Sequence, residues 1–251
     1  MNRINRKFSY SNVWTTFKLP TDISVTENRI RRTFERLKKE NKKALTCFIT
    51  AGFPDLKTTE NVIKIFDSCG VDIVELGVPF SDPIADGPTI QYTSFQALEN
   101  KISLKEILLT VKKIRLYSQI PIVIMSYLNP IYNYGLEEFF KDGKNYGVDG
   151  LIIPDIIPEE GKDIEKLSYK YHLPIIYLLS TTTTEARQKL ICDKSQEFVY
   201  AVSVTGVTGP REKFPKTTIE FLKKARKKTT KPLLLGFGIS NPIQIENLKK
   251  Y

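Results

Sequence analysis

From residue 44 onward the chain alternates between short apolar runs and amphipathic segments, and this alternation restricts the fold more than any other feature. Strands joined by a helix must lie parallel, because the crossover helix returns the chain to the same end of the sheet. Seven such strands favour a (β/α) barrel over a doubly wound sheet, and no GxGxxG follows the first strand, which argues against a dinucleotide-binding fold. We predict strands at 44–50, 72–78, 121–127, 150–154, 174–180, 198–204 and 232–236, with helices near 29–43, 58–69, 103–115, 135–146, 159–172, 184–194 and 217–229.

The positive charge of the chain is concentrated near its beginning. The formal net charge is +10 over 251 residues, and residues 1–43 contribute +8 of it, from twelve Lys/Arg against four Asp/Glu. The rest is almost neutral, whereas binding to a phosphate backbone needs a basic face on the folded domain. Apolar runs such as Leu151-Ile152-Ile153 are far shorter than the ~20 residues of a membrane span. We therefore expect neither a nucleic-acid nor a membrane partner.

Cysteine and histidine are too sparse to form a metal site. The three cysteines, Cys47, Cys69 and Cys192, are scattered, and the only histidine is His172. Zinc sites need Cys and His ligands at short spacings, and no such cluster is present. We expect no metal in this chain, and we interpret the cysteines as reduced core residues of an intracellular protein.

Glu75 is an unusual residue for the middle of an apolar strand. In the predicted strand 72–78, Val74, Leu76 and Val78 share one face, which should pack on the helices, so Glu75 should point into the barrel. A carboxylate in such a place is costly unless it is paired or neutral, and burial should raise its pKa toward neutrality. This favours an acid–base role over the alternative of a purely structural partner.

Asp86 ends the loop that follows this strand, which is stiffened by Pro and Gly. The loop can fold back over the barrel mouth, where active sites of parallel barrels gather at the C-terminal ends of the strands. The alternative for Asp86 is a surface carboxylate that caps the helix starting near Thr89.

Three further strand exits carry residues that suit a ligand. The Gly/Thr-rich segment 204–210 could close over a bound molecule. The turn at 235–240 has two glycines, followed by Ser240 and Asn241 as possible helix caps, and would let bare amides approach an anion. The segment 125–130 offers Tyr127 for an apolar pocket or for packing. Together they indicate a phosphorylated substrate with an apolar portion.

The segment ELGVPFSDPIADGPTIQ at 75–91 closely resembles the signature of the tryptophan synthase alpha chain. Other stretches resemble the same family in the same order, and the resemblance spans about residues 30–250: CFITAGFPD (47–55), MSYLNPIYNYG (125–135), GVDGLIIPDIIPEE (147–160), SVTGVTG (203–209) and LGFGIS (235–240). The resemblance implies a TIM-type (β/α)8 barrel and a carbon–carbon lyase. The implied reaction is the retro-aldol cleavage of indole-3-glycerol phosphate to indole and glyceraldehyde 3-phosphate, in tryptophan biosynthesis.

The resemblance also implies roles for individual residues. Glu75 matches the general acid–base, and Asp86 matches the carboxylate at the indole N–H. The remaining matches are to the indole pocket (Phe48, Tyr127 and Tyr200), to support and closure of the site (Asp155 and Thr208) and to the backbone that cradles the phosphate (Gly209, Gly236 and Gly238). The resemblance implies no cofactor in this chain. The implied partner is a beta chain that holds pyridoxal phosphate in an α2β2 complex, contacted by Pro79–Asp82 and the loop near Tyr132.

Two departures from the family pattern leave alternatives open. Residues 1–28 form an extension before a barrel domain at 29–251, and the chain reaches Tyr251 before the expected eighth strand and final helices. A weak or inactive alpha-like partner that only activates the beta chain is therefore an alternative to the lyase. Another phosphate-binding barrel of the same pathway is a further alternative, although no lysine stands at a predicted strand exit. The Lys-, Ile- and Asn-rich composition favours a plastid protein over one of the bacterial cytoplasm.

Overall fold

The structure, a computed structural model, describes residues 28–203, 215–239 and 241–248. All of its strands pair in parallel, and they follow one another in chain order without a reversal. A doubly wound sheet would show a switch point in this order, whereas a barrel does not. The predicted barrel architecture is therefore confirmed. Within the described ranges, β1 pairs only with β2, and β8 pairs only with β7.

The predicted strands and helices are present, with bounds shifted by a few residues, and further helices lie at 88–99, 128–134 and 242–248. The strands are β1 (Thr46–Thr50), β2 (Ile73–Gly77), β3 (Ile122–Met125), β4 (Gly150–Ile152), β5 (Ile175–Ile176), β6 (Leu178–Ser180), β7 (Val199–Val202) and β8 (Leu233–Gly236). The helices are α1 (Arg29–Lys39), α2 (Leu56–Ser68), α3 (Pro88–Glu99), α4 (Leu104–Ile114), α5 (Leu128–Tyr134), α6 (Leu136–Tyr146), α7 (Lys162–Tyr171), α8 (Glu185–Lys194), α9 (Lys216–Arg226) and α10 (Pro242–Leu248). Of the helices in the described ranges, none is long and apolar enough to cross a bilayer.

The fifth predicted strand, 174–180, is divided at Tyr177 into β5 and β6. Two side chains that precede β7 take hydrogen bonds that a ladder would otherwise use. Gln196 Oε1 accepts from Ile175 N at 2.7 Å, and Ser195 Oγ accepts from Tyr177 N at 3.0 Å. The sheet is thereby split into a five-stranded and a three-stranded part, although the chain runs on without a turn.

One apolar layer lies on each side of the strands. The outer layer, between strands and helices, contains Val74, Leu76 and Val78 from the β2 region, as the alternation predicted. The inner layer fills the barrel and includes Ile73, Met125 and Tyr200. Helix α1 closes the floor, because fully buried Ile30 belongs to the inner layer.

A buried ionic cluster joins the floor helix to the strands. The Asp149 carboxylate, only 3% exposed, accepts from Arg29 at 3.0 Å, from Arg115 at 2.7 Å and from the Ile122 amide at 2.9 Å. Burial lowers the pKa of Arg115 to about 10, and the charge of Asp149 opposes this shift. The cluster links α1, α4, β3 and the start of β4.

We predict that Asp149→Ala lowers the free energy of unfolding by about 3–5 kcal/mol, because the buried Arg115 guanidinium loses its counter-ion. Urea unfolding at neutral pH measures the change. Asp163→Ala is the matched control, since Asp163 pairs with Lys166 at an exposed site and its loss should change stability far less. Equal losses in the two variants would contradict this role for the cluster.

Candidate active site

Glu75 lies inside the barrel, where the strand alternation placed it. It is 4% exposed, and its Oε2 accepts a hydrogen bond from the Tyr200 hydroxyl at 3.0 Å. The two residues are 125 positions apart in the chain, on β2 and β7, and the barrel brings them together across its interior. Burial raises the pKa of Glu75 to about 7, and the bond from Tyr200 acts in the opposite direction. At neutral pH this carboxyl can therefore both donate and accept a proton.

Tyr200 reaches Glu75 through space that Gly236 leaves open. A Cβ at Gly236 would lie 1.8 Å from the Tyr200 hydroxyl oxygen. The adjacent Phe237 packs edge-on against the Tyr200 ring with centroids 6.0 Å apart, and its backbone has a positive φ of 65°. The Ser203 hydroxyl donates to the Phe237 carbonyl at 2.6 Å. Sequence reasoning missed Phe237 and Ser203, although the flanking glycines were a signal for a tight turn.

Asp86 is half-buried at the edge of the same cleft as Glu75. Burial raises its pKa, and the Tyr127 hydroxyl acts against that shift. Helix α3 takes Gly87 as its N-cap, so Asp86 does not occupy the capping position of that helix. Both carboxyls line one large cavity, which at the barrel mouth is also lined by Phe48, Tyr200 and the turn at 236–238 and which extends to residues near the floor, such as Leu37 and Lys231.

Phe48 and Tyr127 form part of an apolar wall beside Asp86. Both line a small adjoining cavity together with Asp86. Gly77 makes room for Phe48, because a Cβ there would lie 2.4 Å from the Phe48 ring. Tyr127 is 5% exposed, and its ring lies 5.0 Å from that of Phe80.

The remaining predicted residues fall in three groups. Asp155 is exposed and lies behind this wall, where its carboxylate accepts from the Leu128 amide at 3.0 and 3.2 Å. Gly236 and Gly238 line the cleft, and Gly238 has a positive φ of 70°. Thr208 and Gly209 lie outside the described residues. Asn241 caps α10 by accepting from Gln244 N at 3.0 Å, one of the two caps proposed from the sequence.

Within the part of the chain that the structure describes, no group of three or more His, Cys, Asp or Glu side chains is placed to hold a metal ion. The carboxyls of Glu75 and Asp86 both line this cleft, and the hydroxyls of Tyr200 and Tyr127 lie beside them. A buried carboxyl inside a parallel barrel is typical of one class of protein, the (β/α)-barrel enzymes with carboxylate acid–base chemistry.

Comparison with known proteins gives the family within this class. The family model described as "Tryptophan synthase alpha chain" matches residues 34–251, and the chain belongs to this family. The tryptophan synthase alpha chain of Thermoanaerobacter sp. (strain X514) is 47% identical over 224 residues, which are 89% of this chain and 85% of that protein. The alpha chain of Geotalea uraniireducens is 46% identical over 217 residues, 86% of this chain and 81% of that protein.

Solved structures show the same fold. Tryptophan synthase subunit alpha from Legionella pneumophila superposes with a TM-score of 0.79 at 34% identity, covering 86% of this chain and 80% of that one. A chain of the tryptophan synthase α2β2 complex from Pyrococcus furiosus superposes with a TM-score of 0.78 at 38% identity, covering 82% and 83%.

The raised pKa of Glu75 predicts a pH-dependent contribution to stability. A carboxyl whose pKa rises from 4.5 to about 7 on folding binds its proton more tightly in the folded state. The contribution of this tighter binding to the free energy of unfolding is fully present below the pKa of the unfolded state. It is lost as the pH rises through the pKa of the folded state, and the total loss is about 3 kcal/mol. Glu75→Gln stays neutral, so its unfolding free energy should increase relative to the unmutated protein between about pH 5 and about pH 8.

Urea unfolding at several pH values measures this difference. Glu185→Gln, at a side chain that is 73% exposed, is the control and should show no comparable trend with pH. A constant offset between Glu75→Gln and the unmutated protein would contradict the raised pKa.

The contact between Gly236 and Tyr200 predicts a steric coupling. Gly236→Ala should lower the unfolding free energy by about 1–3 kcal/mol, because the buried ring cannot move away freely. Gly87→Ala is the control, since an added Cβ there meets nothing within 4 Å. Adding Tyr200→Ala should make the double variant lose less than the sum of the two single losses, and strict additivity would count against the contact.

Proposed function

We propose that this chain is the alpha subunit of a tryptophan synthase and cleaves indole-3-glycerol phosphate to indole and glyceraldehyde 3-phosphate. The observation that carries the proposal is a carboxyl with a pKa of about 7, buried inside a barrel of this family and open to a cleft shared with a second carboxyl. The reaction needs an acid–base group that works near neutral pH and a stabiliser of positive charge.

Glu75 is assigned both proton transfers. In its protonated form it donates to C3 of the indole ring, which makes the ring cationic. Removal of the proton from the hydroxyl next to the scissile bond forms the aldehyde, and the electron pair of the broken carbon–carbon bond restores the aromatic indole. The atoms of the substrate are all retained in the two products, and Glu75 returns to its starting form. A pKa near neutrality serves both steps, because neither protonation state is rare.

We assign to Asp86 the stabilisation of the positive charge that develops on the indole nitrogen. An anion about 4 Å from a cation at an effective dielectric constant of about 20 is worth about 4 kcal/mol. This attraction is present only when the ring is protonated, so it stabilises the transition state more than the substrate. Phe48, Tyr127 and Tyr200 supply apolar surface for the planar ring.

The phosphate of the substrate is assigned to the turn that contains Gly236 and Gly238, together with Thr208 and Gly209 of the segment after β7. The exposed position of Gly238 at the cleft supports the first part of this assignment. Gly236 has a second function, because a side chain at this position would occupy the space that the Tyr200 hydroxyl fills. Asp155 is assigned a supporting role through the Leu128 amide.

The proposed partner is a tryptophan synthase beta chain, which would hold the pyridoxal phosphate of the complex. The α2β2 complex of the Pyrococcus furiosus relative supports this pairing. We assign residues 29–251 to the barrel domain, and the family match at 34–251 supports this boundary. The curated relatives named above are bacterial, so they favour the bacterial cytoplasm and lend no support to a plastid.

We predict that Glu75→Gln lowers kcat/KM for indole release by ~10²–10⁴, because Gln cannot transfer the proton. Asp86→Asn should lower kcat by ~10²–10³, because the charge is lost while the shape is kept. Indole release from indole-3-glycerol phosphate, with and without a beta chain, is the assay. Glu185→Gln and Asp163→Asn are matched controls at exposed positions.

Full activity in both site variants would overturn the assignments. The alternative function is that of an alpha-like protein that only activates a beta chain, and the same assay separates it from the lyase. An unmutated chain that releases no indole but still stimulates the beta reaction would establish this alternative.

A further inference from the structure

Tyr127 lies where the loop that carries Asp86 meets the body of the barrel. It follows β3 and is the N-cap of α5. Its ring contacts Phe80, near the start of the loop 79–87, and its hydroxyl accepts a hydrogen bond from the Ala85 amide at 2.8 Å. Ala85 directly precedes Asp86, so this bond holds the backbone next to the carboxylate.

The backbone of Tyr127 is itself held on both sides. The Ser126 hydroxyl donates to the Tyr127 carbonyl at 2.9 Å, and Ser126 is 1% exposed. The Leu128 amide donates to both oxygens of Asp155, at the exit of β4. Tyr127 is thus a fixed point supported by two neighbouring strands.

The loop has few other attachments to the barrel. Among the described residues, the Asp86 amide donates to the Pro83 carbonyl at 3.3 Å, and the Gln91 side chain donates to the Asp86 carbonyl at 2.9 Å. These bonds are local, and Ile84 is 86% exposed. Within the described ranges, the Tyr127 hydroxyl is therefore the group that bonds the second half of the loop to the exit of β3.

We propose that Tyr127 is a positioning residue for Asp86, whose hydroxyl fixes the loop at Ala85 so that the Asp86 carboxylate faces the ring nitrogen of the substrate. This inference rests on the role proposed for Asp86 above. It differs from the pocket role expected from the sequence, which needs only the aromatic ring. A phenol accepts with its lone pairs and donates with its one proton, so the proton of Tyr127 is free to point at Asp86 while Ala85 is bound.

Tyr127→Phe separates the two roles, because it keeps the ring and its packing on Phe80 and removes only the hydroxyl. We expect kcat for cleavage of indole-3-glycerol phosphate to fall about tenfold or more, with KM changed less, since a misplaced charge weakens the transition state most. Tyr134→Phe is the matched control on the same helix, where the hydroxyl donates to Asp142 at 2.6 Å. It should keep the activity of the unmutated protein.

The pH profile gives a readout that a change in packing alone would not produce. Among the described residues, the titratable groups around Asp86 are Tyr127, with Asp155 close to it, and Glu75, which lines the same cleft. The Tyr127 hydroxyl lowers the pKa of Asp86, so Tyr127→Phe should raise that pKa. The acid limb of kcat/KM should then move to higher pH, because the charged form of Asp86 is lost sooner as the pH falls.

A double variant tests whether Tyr127 acts through Asp86. If it does, Tyr127→Phe should cause little further loss in an Asp86→Asn background. Losses that multiply would overturn the proposal, and so would full activity in Tyr127→Phe when Asp86→Asn is impaired; in both cases the proposed function stands. An unimpaired Asp86→Asn would overturn the role of Asp86 and this proposal with it.

Discussion

The burial of one carboxyl inside the barrel is the constraint on which the site depends. Glu75 is almost fully enclosed, and its partner is the neutral hydroxyl of Tyr200. Desolvation has the largest effect on its pKa, so the proton is held up to near neutral pH. The neighbourhood is built to permit this contact, because Gly77 admits the Phe48 ring and Gly236 admits the Tyr200 hydroxyl.

The residues of the site lie partly on the strands of the barrel and partly on a loop. Glu75 and Tyr200 stand on strands in the rigid wall, which suits a proton transfer that tolerates little error in distance. Asp86 stands on an exposed loop, and a tyrosine at the exit of β3 ties that loop to the wall. An electrostatic attraction acts over a longer distance than a proton transfer. A residue on a loop, which is held less rigidly than one on a strand, therefore suits the role proposed for Asp86.

The residue pattern predicted the strands, the barrel and the inward direction of Glu75, because alternation along a strand fixes both layers at once. It did not predict the division of the fifth strand, since that depends on Ser195 and Gln196 meeting it in space. It also missed helix α5, whose first residues were assigned to a strand exit. Pro130 is the third residue of this helix, where the backbone amide has no partner within the helix, so a proline is tolerated there. The residue pattern also could not predict the hydrogen bond from Ala85 to Tyr127 or the positive φ of Phe237, because both depend on tertiary packing.

The most direct test of the account is the titration of the Glu75 carboxyl itself. Carbon-13 NMR of the glutamate side chains in the folded protein can follow it, with Glu75→Gln used to assign the resonance. We expect a midpoint of about 7, and a higher midpoint in Tyr200→Phe, because the Tyr200 hydroxyl lowers the pKa of Glu75. A midpoint near the ordinary value of 4.5 would show that the carboxyl is solvated, and it would contradict the proposed proton transfers.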